Sequence, residues 1–182
     1  MSEALAREGL EALRRGDGAT ARDRFEAYAL VAGEAQTPWI MLAQAHRLIG
    51  DEAAEKKALE RVLAAAPRDL PALLMMGALC QRSDDDRGAT RWYQTALNQA
   101  SILPDVPPAL HARLGDAQAF LTGAMARYGD HLVKALKAEG VSGGPRLALA
   151  LDLLLGRATL YQQQPTSFYF PGLPQRQFFE RS

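Results

Sequence analysis

The chain has 182 residues, 48% hydrophobic and 23% charged, the balance of an ordinary folded protein. Lys plus Arg and Asp plus Glu are each 21, so the net charge is zero, which argues against a general nucleic-acid or anionic-membrane binder. No apolar run approaches the roughly 18 residues that span a bilayer, the Met1-Ser2-Glu3 start lacks a signal peptide's apolar core, and the single Cys80 permits no internal disulfide, which fits a reducing, cytoplasmic setting.

Ser2 to about Val31 reads as two helices, with Leu5, Leu10 and Leu13 on one apolar stripe and Phe25, Tyr28 and Val31 on the next. Gly16-Asp17-Gly18 punctuates them. A second pair opens with Thr37 as N-cap and Pro38 at the first helical position, and turns at Gly50-Asp51. A third opens with Asp69 and Pro71 and turns at Ser83-Asp84-Asp85-Asp86. That acidic run lacks the alternating ligands, central Gly and closing Glu of a calcium loop, so it reads as a solvated turn with capping carboxylates. Cys80 takes an inward slot as a small core residue.

These three pairs are copies of one unit. Trp39, Leu42, Ala43, Gly50, Leu59 and Pro67 fall at positions 4, 7, 8, 15, 24 and 32 of 34 residues, a pattern that resembles the tetratricopeptide repeat. Stepping back 34 residues gives Leu5, Gly9, Gly16, Ala21 and Phe25, and stepping forward gives Leu73, Met76, Gly77, Ala89 and Tyr93. Position 8 must be small because two helices touch there, and position 24 carries the bulk that fills the contact. Glu55 stands at position 20, where a small residue is usual, which predicts loose packing there or a slip of one residue. The repeats are expected over 2–34, 36–68 and 70–102.

After Ala100 the register stops. Leu103 to Pro108 breaks the helix, and Ala109 to Glu139 then reads as one long helix striped by Leu110, Leu114, Ala117, Leu121, Met125, Tyr128, Leu132 and Leu136. A break at Gly115-Asp116, giving a degenerate fourth repeat, is the less favoured alternative. Val141 to Pro145 is a stop, and Arg146 to Arg157 a short helix packed on the end of the stack. Residues 103–160 thus cap the repeats, and 161–182 change character. This tail holds six of the 13 aromatics, Tyr161, Phe168, Tyr169, Phe170, Phe178 and Phe179, and Pro165, Pro171 and Pro174 keep it extended. The fold class expected is all-α: a tetratricopeptide-repeat superhelix, a long helix, a short helix and an extended aromatic tail.

The stretch Leu149-Ala150-Leu151-Asp152-Leu153-Leu154-Leu155-Gly156-Arg157, then Tyr161, Gln163, Pro165 and Phe168-Tyr169-Phe170-Pro171-Gly172-Leu173-Pro174, resembles bacterial aspartyl/asparaginyl β-hydroxylases. These are iron(II)- and 2-oxoglutarate-dependent dioxygenases, and several carry tetratricopeptide repeats ahead of the catalytic domain. The resemblance implies that 161–182 is the linker into such a domain, with the six aromatics docking it. It also implies that the domain itself, with its iron ligands and both cofactors, lies outside this chain. The three histidines belong to no His-x-Asp motif. His46, at an inward slot, reads as a hydrogen-bonded core residue, and His131 after Asp130 reads as a solvated helix pair. No catalytic constellation or metal set is expected here.

The first helix of each repeat faces the groove in which such stacks hold extended peptides. The candidate peptide-binding residues are Arg7, Arg14, Gln44, Arg47, Gln81 and Arg82, a lining suited to carboxylates or amides. The plainer reading is that these arginines are solvated and pair with Glu8, Glu11 and nearby acids. Ala6, Leu10, Ile40 and Gln44 depart from the Lys and Asn of the chaperone-tail clamp, so that partner is not expected. The partners expected are a polypeptide in the groove and the chain's own catalytic domain, with no nucleic acid and no membrane. A free-standing repeat adaptor is the alternative.

Overall fold

A left-handed residue followed by an aspartate closes each of three helical hairpins. In the structure, a computed structural model that describes residues 2–33, 38–140 and 144–159, the hairpins are α1 (Ser2–Arg14) with α2 (Gly18–Ala32), α3 (Trp39–Ile49) with α4 (Glu52–Ala65), and α5 (Leu70–Arg82) with α6 (Asp86–Ile102). Gly16, Gly50 and Asp84 take φ of +75°, +76° and +55°. Glycine enters that region freely, and aspartate is among the few others that tolerate it. The next residue then works twice. The N–H groups of Asp17, Asp51 and Asp85 donate back to the carbonyls of Ala12, His46 and Cys80 at 2.9, 3.0 and 2.9 Å, closing a Schellman-type turn. Their carboxylates accept from the N–H of Thr20, Ala54 and Gly88 at 3.0, 3.0 and 2.9 Å, capping the second helix. Each cap stabilises by about 1 kcal/mol.

The hairpins close on a recurring contact of small against large. A Cβ added to Gly9 would lie 2.8 Å from the Phe25 ring, and one added to Gly77 would lie 2.5 Å from the Tyr93 ring. Ala43 and Leu59 share the core of the middle hairpin. No hairpin buries its apolar face alone. Ala12, Ala21 and Phe25 are covered by Leu42 and Ala45 of α3, and Ala43, Ala58 and Leu59 by Ala72, Met75 and Met76 of α5. The third core, around Leu73, Ala89, Tyr93 and Ala96, is covered by Ala117, Leu110, Leu114 and Leu121. These last four belong to the start of α7 (Pro108–Ala138), which covers the third hairpin as the first helix of the next hairpin covers each of the other two. With neighbours on both sides, α5 buries eight residues between Leu70 and Leu79.

The chain divides into two compact units, Met1–Ala124 and Met125–Ser182, with the boundary inside α7. In the second, Gly129 lets α7 approach Leu155, which a Cβ would meet at 2.9 Å. Leu155 follows α8 (Pro145–Leu154), which itself contains no buried residue. All eight described helices are α, and no strand occurs among the described residues.

Four expectations need correction. Pro38 occupies the cap position of α3, not its first turn, and makes no side-chain cap; Thr37 lies outside the described residues. The short helix is Pro145–Leu154 instead of 146–157. The apolar stripe of α7 does not stay buried, because Met125 and Tyr128 are about half exposed, 48% and 52%. Around Glu55 the packing is neither loose nor slipped. Glu55 is fully buried, in register with Ala21 and Ala89, which are equally inaccessible.

Candidate functional site

Glu55 is held by its neighbour in the next hairpin. Its Oε2 accepts from Arg82 Nη2 at 2.5 Å, and one turn earlier Glu52 Oε2 accepts from Ser83 Oγ at 2.8 Å. The two links fix the end of α5 against the start of α4. Burial pushes the Glu55 carboxyl above its ordinary value of 4.5, while the hydrogen bond and charge of Arg82 and the charge of Arg47 pull it back. Glu55 Oε1 is buried without a hydrogen-bond partner among the described residues.

Beside this pair, α5, α6 and α7 border an open cleft of about 620 Å³ lined by Ala78, Gln81, Arg82, Tyr93, Asp116, Ala119 and Phe120. Tyr93 crosses from α6. Its ring meets Phe120 edge-on, 5.3 Å between centroids, and its hydroxyl donates to Gln81 Oε1 at 2.9 Å. Arg113 stands one turn before Asp116 on the same face of α7 and acts electrostatically on Tyr93. Its Nη2 is buried and makes no hydrogen bond among the described residues. Burial pulls the Arg113 guanidinium below its ordinary value, and the like charge of Arg47 adds to that.

Arg7 and Arg14 lie exposed on α1, Gln44 is half-buried and Arg47 exposed on α3, and Gln81 and Arg82 end α5. The structure brings Arg47, Gln81 and Arg82 together with Glu55, Tyr93 and Arg113. No hydrogen bond or ion pair joins Arg7 or Arg14 to that group among the described residues. Arg82 does not pair with nearby surface acids; its partner is the buried Glu55, 27 residues earlier. Glu8 pairs instead with Arg24 on α2, at 2.9 Å. Sequence reasoning missed Arg113, because the 34-residue phase ends before it, and misread Glu55. The available signal was a carboxylate at a slot filled by alanine in both neighbouring repeats. Tyr161, Phe168, Tyr169, Phe170, Phe178 and Phe179 lie outside the described residues.

A second cleft, of about 530 Å³, opens between α2, α3 and α4, with Trp39, Leu42 and His46 in its wall and the Arg61 guanidinium 5.8 Å from the Trp39 ring centroid. His46 is buried as expected, but its Nδ1 has no hydrogen-bond partner among the described residues; the Asp51 carboxylate oxygen Oδ2 is 4.0 Å away. Burial pulls its pKa below 6.5, with Asp51 opposing.

The described residues do not fit an iron centre. His46 is buried in the wall of the α2–α3–α4 cleft, the His111 ring lies 3.1 Å from the Val106 carbonyl, and His131 is exposed on α7. No three His, Cys, Asp or Glu side chains converge on a metal position among the described residues. No helix among them is long and apolar enough to cross a membrane. No protein-family model matches the chain, and no characterised protein matches it significantly.

Proposed function

We propose that the chain is a tetratricopeptide-type helical region, itself without catalytic residues, that holds an extended polypeptide against the face made by α3, α5 and the start of α7. The observation on which this rests is the threefold recurrence, at 34 residues, of left-handed residue, Schellman-type turn and capping aspartate. That recurrence lines up the first helices side by side, and their shared face is where such stacks bind linear ligands. The cavity beside Tyr93 and the donors around it support the same reading. The resemblance of 149–174 to aspartyl/asparaginyl β-hydroxylases supports placing this region ahead of an iron(II)- and 2-oxoglutarate-dependent domain, to which it presents a polypeptide substrate in the cytoplasm. The iron chemistry belongs to that domain.

Ala78 offers a direct test. It lies on the open side of α5, half-buried, in the cavity wall. Linear peptides selected from a random library against the full chain should lose binding to the Ala78→Trp variant while its melting temperature is kept. Retained binding by a folded Ala78→Trp protein would refute the reading.

A further inference from the structure

The cleft between α2, α3 and α4, of about 530 Å³, has the volume of a small-molecule site. Its floor is one stripe of α3, Trp39, Leu42 and His46, seven residues apart end to end and so about 10 Å long. The α2 and α4 sides carry alanine, Ala29, Ala54 and Ala58, whose side chains are too short to fill the space between the helices. Ala58 is packed in the core, while Ala29, Ala54 and Trp39 are half-buried and reach the opening. Leu30 borders the same cleft and is 89% exposed. An apolar floor, short walls and a leucine left in water favour an apolar occupant, and a slot between alanines suits an unbranched chain.

The charges at the rim set the sign of that occupant. Lys57 and Arg61 stand one turn apart on one face of α4, both exposed, and Glu26 is the carboxylate on the α2 side. The Arg61 guanidinium lies 5.8 Å from the Trp39 ring centroid, which brings a cation over the apolar floor. Lys57 makes no ion pair or hydrogen bond among the described residues. Its long stem lets the ammonium lean along the apolar wall while it stays in water. Two cations facing one carboxylate match a single negative charge, and Glu26 opposes a second. The buried Nδ1 of His46 is closed off, so His46 contributes ring surface only.

We propose that this cleft binds a free monocarboxylic acid with an unbranched apolar chain, the chain over Trp39 between the alanine walls and the carboxylate at Lys57 and Arg61. A floor of about 10 Å accommodates only about three residues of extended polypeptide, so the cleft takes a small molecule. Its occupancy does not depend on a polypeptide bound along α3, α5 and α7.

The test titrates octanoate and octylammonium, equal in tail and opposite in charge, into the full chain. The indole N–H signal of Trp39, assigned with Trp39→Phe, is followed by NMR. Octanoate should shift that signal and leave the signal of Trp92, the other tryptophan, in place. It should bind about tenfold tighter than octylammonium, since one ligand gains exposed ion pairs and the other meets like charge. Lys57→Glu should reverse the preference. Ala54→Phe fills the slot from a half-buried position and should abolish binding while the melting temperature is kept. Equal binding of the two amphiphiles by the wild type, or no shift of Trp39 with octanoate, would overturn the proposal, and neither result needs a variant to fold. So would octanoate binding that survives Ala54→Phe, or wild-type dimers that Leu30→Glu dissolves, which would give the apolar floor to a second copy.

Discussion

Removing Arg82 strands a charge at a slot where the flanking repeats carry alanine. Glu55 is 0% exposed, and the Arg82 side chain that neutralises it is 38% exposed. Losing one partner of a wholly buried pair costs about 3–5 kcal/mol. Water reaching past the truncated Arg82 side chain screens part of this, so Arg82→Ala should cost about 2 kcal/mol at neutral pH. For a chain of this size that is a fall of about 4–8 °C in melting temperature. The penalty must also depend on pH. The folded-state pKa of Glu55 is raised above 4.5 by burial, so its protonated form favours folding. That contribution is fully present below pH 4.5 and lost as pH rises through the folded value. Arg82 lowers that folded value, so its removal matters little at about pH 4.5 and fully at neutral pH. Glu55→Gln should rescue Arg82→Ala, since it removes the stranded charge while keeping the shape. Urea unfolding of the four proteins of this cycle at both pH values measures the coupling directly. An Arg82→Ala penalty that is equal at both pH values, or a Glu55→Gln change that adds to it, would refute the reasoning.

Two helical glycines should respond oppositely to alanine. Gly77→Ala drives a methyl to 2.5 Å from a Tyr93 ring pinned by Phe120 and Gln81, and should destabilise by about 1–3 kcal/mol in urea unfolding. Gly115→Ala on α7 meets nothing within 4 Å and should stabilise by up to about 1 kcal/mol. His46, with its pKa pulled below 6.5, contributes stability that is present above that pH and lost as the medium is acidified below it. His46→Leu should therefore lose stability less steeply on acidification than the wild type; parallel pH profiles of melting temperature would contradict this.

What was legible in the sequence was local. Gly16-Asp17 and Gly50-Asp51 announce a turn and a cap within two residues, and Gly9 with Phe25 or Gly77 with Tyr93 announce a tight helix contact. Asp84 reaches the same left-handed conformation without glycine, which the tolerance of aspartate for that region explains. The site was less legible because its pairings cross hairpins. Glu55 meets Arg82 in the next repeat, so a rule about slot size could only mark it as out of place. Arg113 was invisible for another reason. The linker from Leu103 to Pro107 resets the phase, and only packing shows that α7 covers the third hairpin as a first helix would. The stripe on α7 overstated burial, since periodicity records which residues share a face and not what covers it.

The central claim is that the face of the first helices, and not the second-helix side, holds a polypeptide. A photo-cross-linking amino acid placed at Gln44 on α3 reports on that face, and one at Lys57 on α4 reports on the other cleft. With peptides from the random library, the account predicts adducts from Gln44 that unlabelled peptide competes away. Adducts from Lys57 alone, or from neither position, would contradict it.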